Sequence, residues 1–283
     1  MRGDAPALAG FRRPDGSFGV RNQVLVLPSV VCATQVARQI ASSEGAIGIV
    51  HQHGCLHVGD DLTHSEDELL GTATNPDVGA ALVVSLGCET LRGKALAAAI
   101  GERGQTVGLV GIQAAGGSER AVAEGRAAAA RMGAALAAQE REPMALEELV
   151  VGIDAGPEDE LAAALTAALA ERGVQVIAPP DGLRGAEAHV TLAGLGARLL
   201  LSLPPAEEAP LGFAVVPVVA VGRDFELHRA LAGDFDLILE DESPAEAAAL
   251  VFERLIAHAN GEETSAERRG ARDFVLHRLA VTM

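Results

Sequence analysis

The chain has no tryptophan, no tyrosine, three cysteines and, among 22 basic residues, a single lysine, Lys94. Without Trp or Tyr it lacks the best stacking platforms for single-stranded nucleic acid. A net charge of −17 also repels phosphate backbones, so no nucleic-acid partner is expected. Long apolar runs are missing as well. VLVLPSVVCA and VVPVVAV fall far short of the ~20 residues that cross a bilayer. The opening MRGDAPALAG carries no apolar stretch of the kind a signal peptide needs. The expectation is a soluble cytoplasmic protein with no membrane partner. In that compartment an odd number of cysteines reads as free thiols or metal ligands before it reads as a disulfide framework. The lone lysine reads as a coding bias. Neither a G-x-G-x-x-G nor a Walker pattern occurs, so a nucleotide cofactor is not indicated.

What is present is globular: 283 residues, 49% of them apolar and 22% charged, enough for one large or two ordinary domains. Short aliphatic runs alternate with longer Ala-rich amphipathic stretches. Strands are expected at 24–31, 46–51, 80–86 and 106–113, with helices at 34–43, 65–73, 91–103 and 118–139. The strands are almost continuously apolar, which fits parallel sheets covered on both faces. Residues 139–148 (QEREPMALEE) are charged, contain Pro143 and read as a linker. The alternation then restarts, with strands at 149–154, 174–178, 198–203, 215–221 and 237–240 and helices at 158–172, 224–232 and 245–260. The terminal ARDFVLHRLAVTM reads as a tail packing back on the second unit. The predicted fold class is α/β, with an N-terminal domain over 1–140 and a C-terminal domain over 148–283. The two halves begin alike, but any α/β protein shows such weak self-similarity.

The position of the cysteines is the most informative feature. Cys32 ends the first expected strand, Cys55 follows the second and Cys88 follows the third. Ligand sites of open α/β sheets lie at the carboxyl ends of strands, so all three thiols point to one rim. Around them stand His51, His53 and His57 of HQHGCLH, then Asp60, Asp61 and Glu89. Thiolate, imidazole and carboxylate together suit iron or zinc. Any one of these cysteines alone would read as a small core residue. His51 and His53, two apart on extended chain, face opposite ways, and His53 is favoured because it belongs to the HGC turn. His57 and His64 read as solvated loop or helix residues.

Gln113-Ala-Ala-Gly116-Gly117-Ser118 ends the fourth strand. Its glycines at a helix start offer backbone N–H groups to a carboxylate or phosphate, unless this is an ordinary turn capped by Ser118. Arg12, Arg13 and Arg21 lie in GFRRPDGSFGVRN before the first strand. They could hold an anion bidentately, or belong to a surface hairpin.

GFRRPDGSFGVRN, PSVVC, HQHGC, NPDVGAALVVSLGCE and IQAAGG, in that order over about residues 10–130, resemble the altronate/galactarate dehydratase family. That family also contains the large subunit of sulfolactate sulfo-lyase. The resemblance carries over Arg21, Asn22, Cys32, His53, Gly54, Cys55, Gly87, Cys88, Glu89, Gln113, Gly116 and Gly117, with Ser118 where Thr is usual. LVVGIDAGPED and VVPVVAVG resemble parts of the family's C-terminal domain. Ala155 stands there in place of a family cysteine, and a Gly-rich stretch is missing between about Gly196 and Gly212. The small SAF-type domain of many members is absent too, as in two-subunit members where it is a separate chain.

The resemblance implies a lyase that dehydrates a sugar acid, a 2,3-dihydroxy acid, to a 2-keto-3-deoxy acid with iron. In that reading Cys32, Cys55 and Cys88 hold a ferrous ion or iron–sulfur cluster, and His53 or Glu89 is the acid/base. Arg21, Asn22, Gln113, Gly116, Gly117 and Ser118 would bind the hydroxy-acid substrate. The alternatives are a C–S lyase on a sulfonated hydroxy acid, or a catalytically degenerate binding or regulatory paralogue. Expected partners are the substrate, a separate SAF-type subunit and, through the Ala-rich helices, a second copy in a homodimer.

Overall fold

The computed structural model describes residues 7–42, 45–55, 58–180, 182–277 and 279. The chain opens with an antiparallel hairpin, β1 (Leu8–Arg12) and β2 (Phe18–Gly19), turning through Asp15, whose carboxylate accepts from Ser17 N and Oγ. It then lays down β3 (Gln23–Pro28), α1 (Thr34–Ala41), β4 (Ala46–Gly48), α2 (Asp60–Ala73) and β5 (Val78–Ser85). Next come α3 (Gly93–Glu102), β6 (Val107–Gly111), a one-turn α4 (Ile112–Ala115) and the long α5 (Ser118–Ala137). The four strands of this part form one parallel sheet in the order β4-β3-β5-β6.

The expected linker is structured. Residues 142–144 form β7 (Glu142–Met144), which pairs antiparallel with β1. It is an edge strand, the one place in a sheet where Pro143 and its missing N–H are tolerated.

The second part runs β8 (Val150–Asp154), α6 (Glu160–Glu171), β9 (Gln175–Ile177), α7 (Gly185–Gly194), β10 (Leu199–Ser202) and β11 (Val218–Arg223). It ends with α8 (Glu226–Ala230), β12 (Leu237–Leu239), α9 (Pro244–Ala259) and α10 (Ser265–Arg269). Its five strands are parallel in the order β12-β11-β10-β8-β9. The helix α7 was not expected from the sequence. Within each sheet the first strand has the second on one side and the third on the other, so the two halves share one topology.

Alternating residues explain how these sheets are buried on both faces. Leu25 and Leu27 of β3 enter one apolar cluster, while Val24 and Val26 enter another on the opposite face. The first of these clusters also takes Val190 and Leu192 from α7, Leu200 from β10, Val218 from β11 and Leu276 from the terminal segment. A single apolar layer therefore lies against both sheets, and the terminal tail packs into it as expected. Leu199, Leu201, Val219 and Val221 face a third cluster with α6 and α9. Truncating a fully buried leucine such as Leu82 to alanine would cost roughly 2–5 kcal/mol.

Polar side chains lock the amino ends of the strands together. Asn75 donates to the carbonyls of Ala193 and Ala197 at 2.8 Å each, tying the end of α2 to the end of α7. Asp77 accepts from Val20 N at 2.6 Å and Arg21 N at 3.3 Å. Arg198 reaches back to the carbonyl of Phe18 at 2.6 Å. Among the described residues no helix is long and apolar enough to cross a membrane.

Candidate functional site

In the first sheet the connections from β3 and β5 diverge, which opens a crevice at their carboxyl ends. Four loops line that rim, and backbone bonds join them in series. Val31 N donates to the carbonyl of His53 at 2.9 Å, Leu91 N to that of Gly54 at 3.3 Å, and Gln113 N to that of Leu86 at 3.1 Å. Two glycines allow the close approach. A Cβ on Gly54 (φ +94°) would stand 2.4 Å from the carbonyl oxygen of Ser29, and one on Gly87 (φ +121°) 2.5 Å from Gln113 Oε1. Cys32, Cys55 and Cys88 sit on three of these loops, and all three are free and exposed. Exposure rules out the reading as core thiols.

The two histidines described on the second loop divide their roles. His51 is buried, its Nε2 donating to the carbonyl of Pro28 at 2.6 Å and its Nδ1 accepting from His53 N at 3.3 Å. That arrangement needs a neutral ring, so His51 shapes the loop. His53 is half-buried on the rim. His57 lies outside the described residues.

Glu89 is not placed as an acid/base. Burial pulls its carboxyl upward, but the N–H groups of Gly87, Glu89 and Gly93 and the hydroxyl of Ser29 outweigh this and hold it below the usual range. Ser29 Oγ lies 3.0 Å from Oε1 and Gly87 N lies 2.5 Å from Oε2. With its oxygens occupied and its proton affinity reduced, Glu89 instead fixes the loop that presents Cys88.

The structure does not bring Arg21 and Asn22 of the expected substrate clamp to the thiol rim. Arg21 and Asn22 precede β3, so the six residues of that strand, roughly 20 Å of extended chain, separate them from the thiol rim. All five guanidinium donors of Arg21 are occupied: Nε and Nη2 bond the Glu267 carboxylate at 2.8 Å each, Nη1 bonds Val20 O and His258 O, and Nη2 also bonds Glu262 O. Asn22 accepts from Arg13 and donates to Leu136 O and Gln139 Oε1. Neither has a group to spare for a ligand.

At the fourth loop, Gly116 N donates to Gln113 O and Gly117 N to Ile112 O, so these two N–H groups are closed to an anion. The N-cap of α5 is Gly117, and Ser118 is the first helical residue. The expected strand over 106–113 stops at Gly111, and Gln113 lies in α4 with its side-chain amide against Gly87.

Cations that sequence reasoning passed over stand on this rim. Arg92 is the N-cap of α3, Lys94 lies in its first turn and Arg120 in the first turn of α5. All three are exposed, and among the described residues none of their side chains makes an ion pair or hydrogen bond. Cations at helix N-termini oppose the helix dipole, and an anion placed before them would relieve that conflict. Applying the strand-end argument to Lys94 would have found it.

The corresponding rim of the second sheet carries a cleft of about 700 Å³ lined by Asp159, Arg184, Leu203 and Arg223 among others. Its charges are largely matched internally. Arg223 pairs with Asp159 at 2.6 Å, and the buried Asp154 accepts from Gly185 N at 3.0 Å and lies 3.2 Å from His189 Nε2. Ala155 leaves this rim without a thiol.

Three thiols are soft donors, and their spacing limits what they could hold together. The sulfurs of Cys32, Cys55 and Cys88 are not all within 4.8 Å of one another, too far apart for one ion bound through bonds of about 2.3 Å. An iron–sulfur cluster, with irons standing between its thiolates, accepts wider spacing.

The fold and site define a parallel α/β protein whose thiols and imidazole share the switch point of its first sheet. Residues 10–137 match the model of the D-galactarate dehydratase/altronate hydrolase second domain. Altronate dehydratase of Escherichia coli (strain K12) is 37% identical over 103 residues, covering 30% of this chain and 21% of that protein. Altronate dehydratase of Bacillus subtilis (strain 168) is 35% identical over 91 residues, covering 28% and 18%. The (2R)-sulfolactate sulfo-lyase subunit beta of Chromohalobacter salexigens is 36% identical over 78 residues, covering 27% and 20%. The family likeness is carried by residues 10–137, a little under half of the chain. The matches span about a fifth of the length of these relatives.

Proposed function

We propose that the chain carries a lyase site that dehydrates a sugar acid at the thiol rim of the first sheet. The observation that carries the reading is the placement of three exposed thiols and His53 on adjacent strand ends, on the same rim as cations whose side chains are unpaired among the described residues. In a 2,3-dihydroxy acid the C2 proton must be removed and the C3 hydroxyl expelled as water. The resulting enol then becomes the 2-keto-3-deoxy acid. His53 takes the C2 proton, because it is the described rim imidazole whose ring is not used to shape the loop, and imidazole suits general acid/base work. Arg120 and Lys94 hold the substrate carboxylate and the charge that develops on it. Glu89 and His51 keep the loops in place. An iron–sulfur cluster on Cys32, Cys55 and Cys88 would supply Lewis acidity for hydroxyl departure.

The likeness to a sulfolactate sulfo-lyase subunit favours a second reading, C–S cleavage at the same rim, with a small separate subunit as partner. The test is anaerobic reconstitution with ferrous iron and sulfide, followed by turnover of altronate, galactarate and sulfolactate. With no Trp or Tyr to absorb, the bound cluster is read directly in the near ultraviolet and visible. Cluster absorbance formed in the native chain and missing from the triple Cys→Ala protein, with turnover of a sugar acid, is expected. Turnover of sulfolactate alone decides for the second reading. No cluster absorbance after reconstitution, or cluster absorbance kept by the triple variant, overturns both. Thermal stabilisation by hydroxy acids without turnover would make the chain a binding paralogue.

A further inference from the structure

A second cluster lies away from the thiols, on α2 and the terminal segment. His64 and Glu68 are one turn apart on α2, so their side chains share a face. His277, more than two hundred residues away in sequence, closes on them. His64 Nε2 lies 3.0 Å from His277 Nδ1, Glu68 Oε1 lies 3.1 Å from the same Nδ1, and 3.3 Å separates Oε1 from His64 Nε2. Among the described residues it is the one group of three or more His, Cys, Asp or Glu whose donor atoms all fall within 4.8 Å of one another. His64, expected to be solvated, is thus half-buried in a polar junction.

We propose that His64, Glu68 and His277 form a binding site for a divalent transition-metal ion, of the zinc or ferrous class, that fastens the terminal segment to α2. Two imidazoles and one carboxylate are the donor set that such ions take with a coordination position left open. The spacing agrees. Ligand atoms bound at about 2.0–2.1 Å stand about 3.0 Å apart in an octahedral site and about 3.3 Å apart in a tetrahedral one. The three observed edges fall in that interval.

Two imidazole nitrogens and a carboxylate oxygen can each offer a lone pair to a cation. A cation at the centre meets three lone pairs at once. A separate sign is Glu68 Oε2, which is buried with no hydrogen-bond partner among the described residues, on a residue only 7% exposed. It is available as a second carboxylate ligand atom. The site joins α2, near α7, to the tail whose Leu276 sits in the shared apolar layer. The proposal does not depend on the thiol rim or on the reaction assigned to it.

The test uses the full chain with Cys32, Cys55 and Cys88 changed to Ser, so that thiols cannot bind the probe. After chelator treatment it is titrated with Co²⁺, followed by visible absorbance, and with Zn²⁺ by calorimetry and thermal unfolding. One equivalent of each should bind, raising the melting temperature and slowing proteolysis of the terminal segment. His277→Ala and Glu68→Gln should each weaken binding about a hundredfold and abolish the thermal shift. If Glu68→Gln does not fold, His277→Ala, at the edge of the cluster, decides alone. Absence of binding in the thiol-free chain, or binding and thermal shift unchanged by His277→Ala, overturns the proposal.

Discussion

The two ends of the first sheet use similar residues in opposite ways. At the amino end Arg13, Arg21 and Arg198 are buried or half-buried and bonded to carbonyls and carboxylates, and Asp77 is 1% exposed beneath them. At the carboxyl end Arg92, Lys94 and Arg120 are exposed, with no side-chain partner among the described residues, beside three open thiols. A cation with every donor occupied is part of the architecture, and one with donors to spare is available for a ligand. Motif membership does not separate the two cases. GFRRPDGSFGVRN and NPD belong to the family's segment as much as HQHGC does, yet they build the joint between the sheets.

Breaking the amino end should therefore have the largest effect, and on stability. Arg21→Met leaves the Glu267 carboxylate and the carbonyls of Val20, His258 and Glu262 without their partner. A loss of about 3–5 kcal/mol is expected by urea denaturation, the scale for removing one member of a buried pair. A loss below about 1 kcal/mol would return Arg21 to the ligand-binding class.

Asp77 gives a pH signature of the same joint. Burial pushes its carboxyl up to about 7, against the opposing pull of the Val20 N–H and of Arg21. The folded chain therefore holds a proton that the unfolded chain gives up near pH 4. Stability contributed at this position is present below about pH 4 and is lost as pH rises toward 7. In Asp77→Asn that loss disappears, so the variant gains on the native chain by roughly 2–4 kcal/mol between pH 4 and 8. Urea midpoints across that range check it, and a constant difference would show that Asp77 stays ionised throughout.

Much of this was legible in the sequence, and the failures have physical causes. Continuous aliphatic runs such as 24–28 and 80–85 announced buried parallel strands, and the strand-end rule placed all three cysteines on one rim. β7 was hidden because an edge strand does not need the apolar pattern that a central one shows. Arg21 was misplaced because composition does not record burial, and a guanidinium beside glycine turns looks alike buried or free. The His64–Glu68–His277 junction was invisible because only tertiary packing brings its members together.

The smallest effect is expected at the other end, and it tests the contrast most directly. Arg120 extends over Gly116, its Nη1 3.2 Å from where a Cβ on that glycine would stand, and bonds to nothing among the described residues. Removing it should therefore change stability by no more than about 0.5 kcal/mol, as for surface residues without partners. Removing a cation that meets the substrate carboxylate before and during reaction weakens ground and transition states alike, so KM rises while kcat holds. For Arg120→Met in the reconstituted protein, KM for the hydroxy acid should rise about tenfold, close to the strength of one exposed charge-assisted contact. A destabilisation above about 2 kcal/mol would place Arg120 with the architectural cations. An unchanged KM would leave Lys94 as the cation that meets the carboxylate, because it is the other unpaired charge within the first turn of a rim helix.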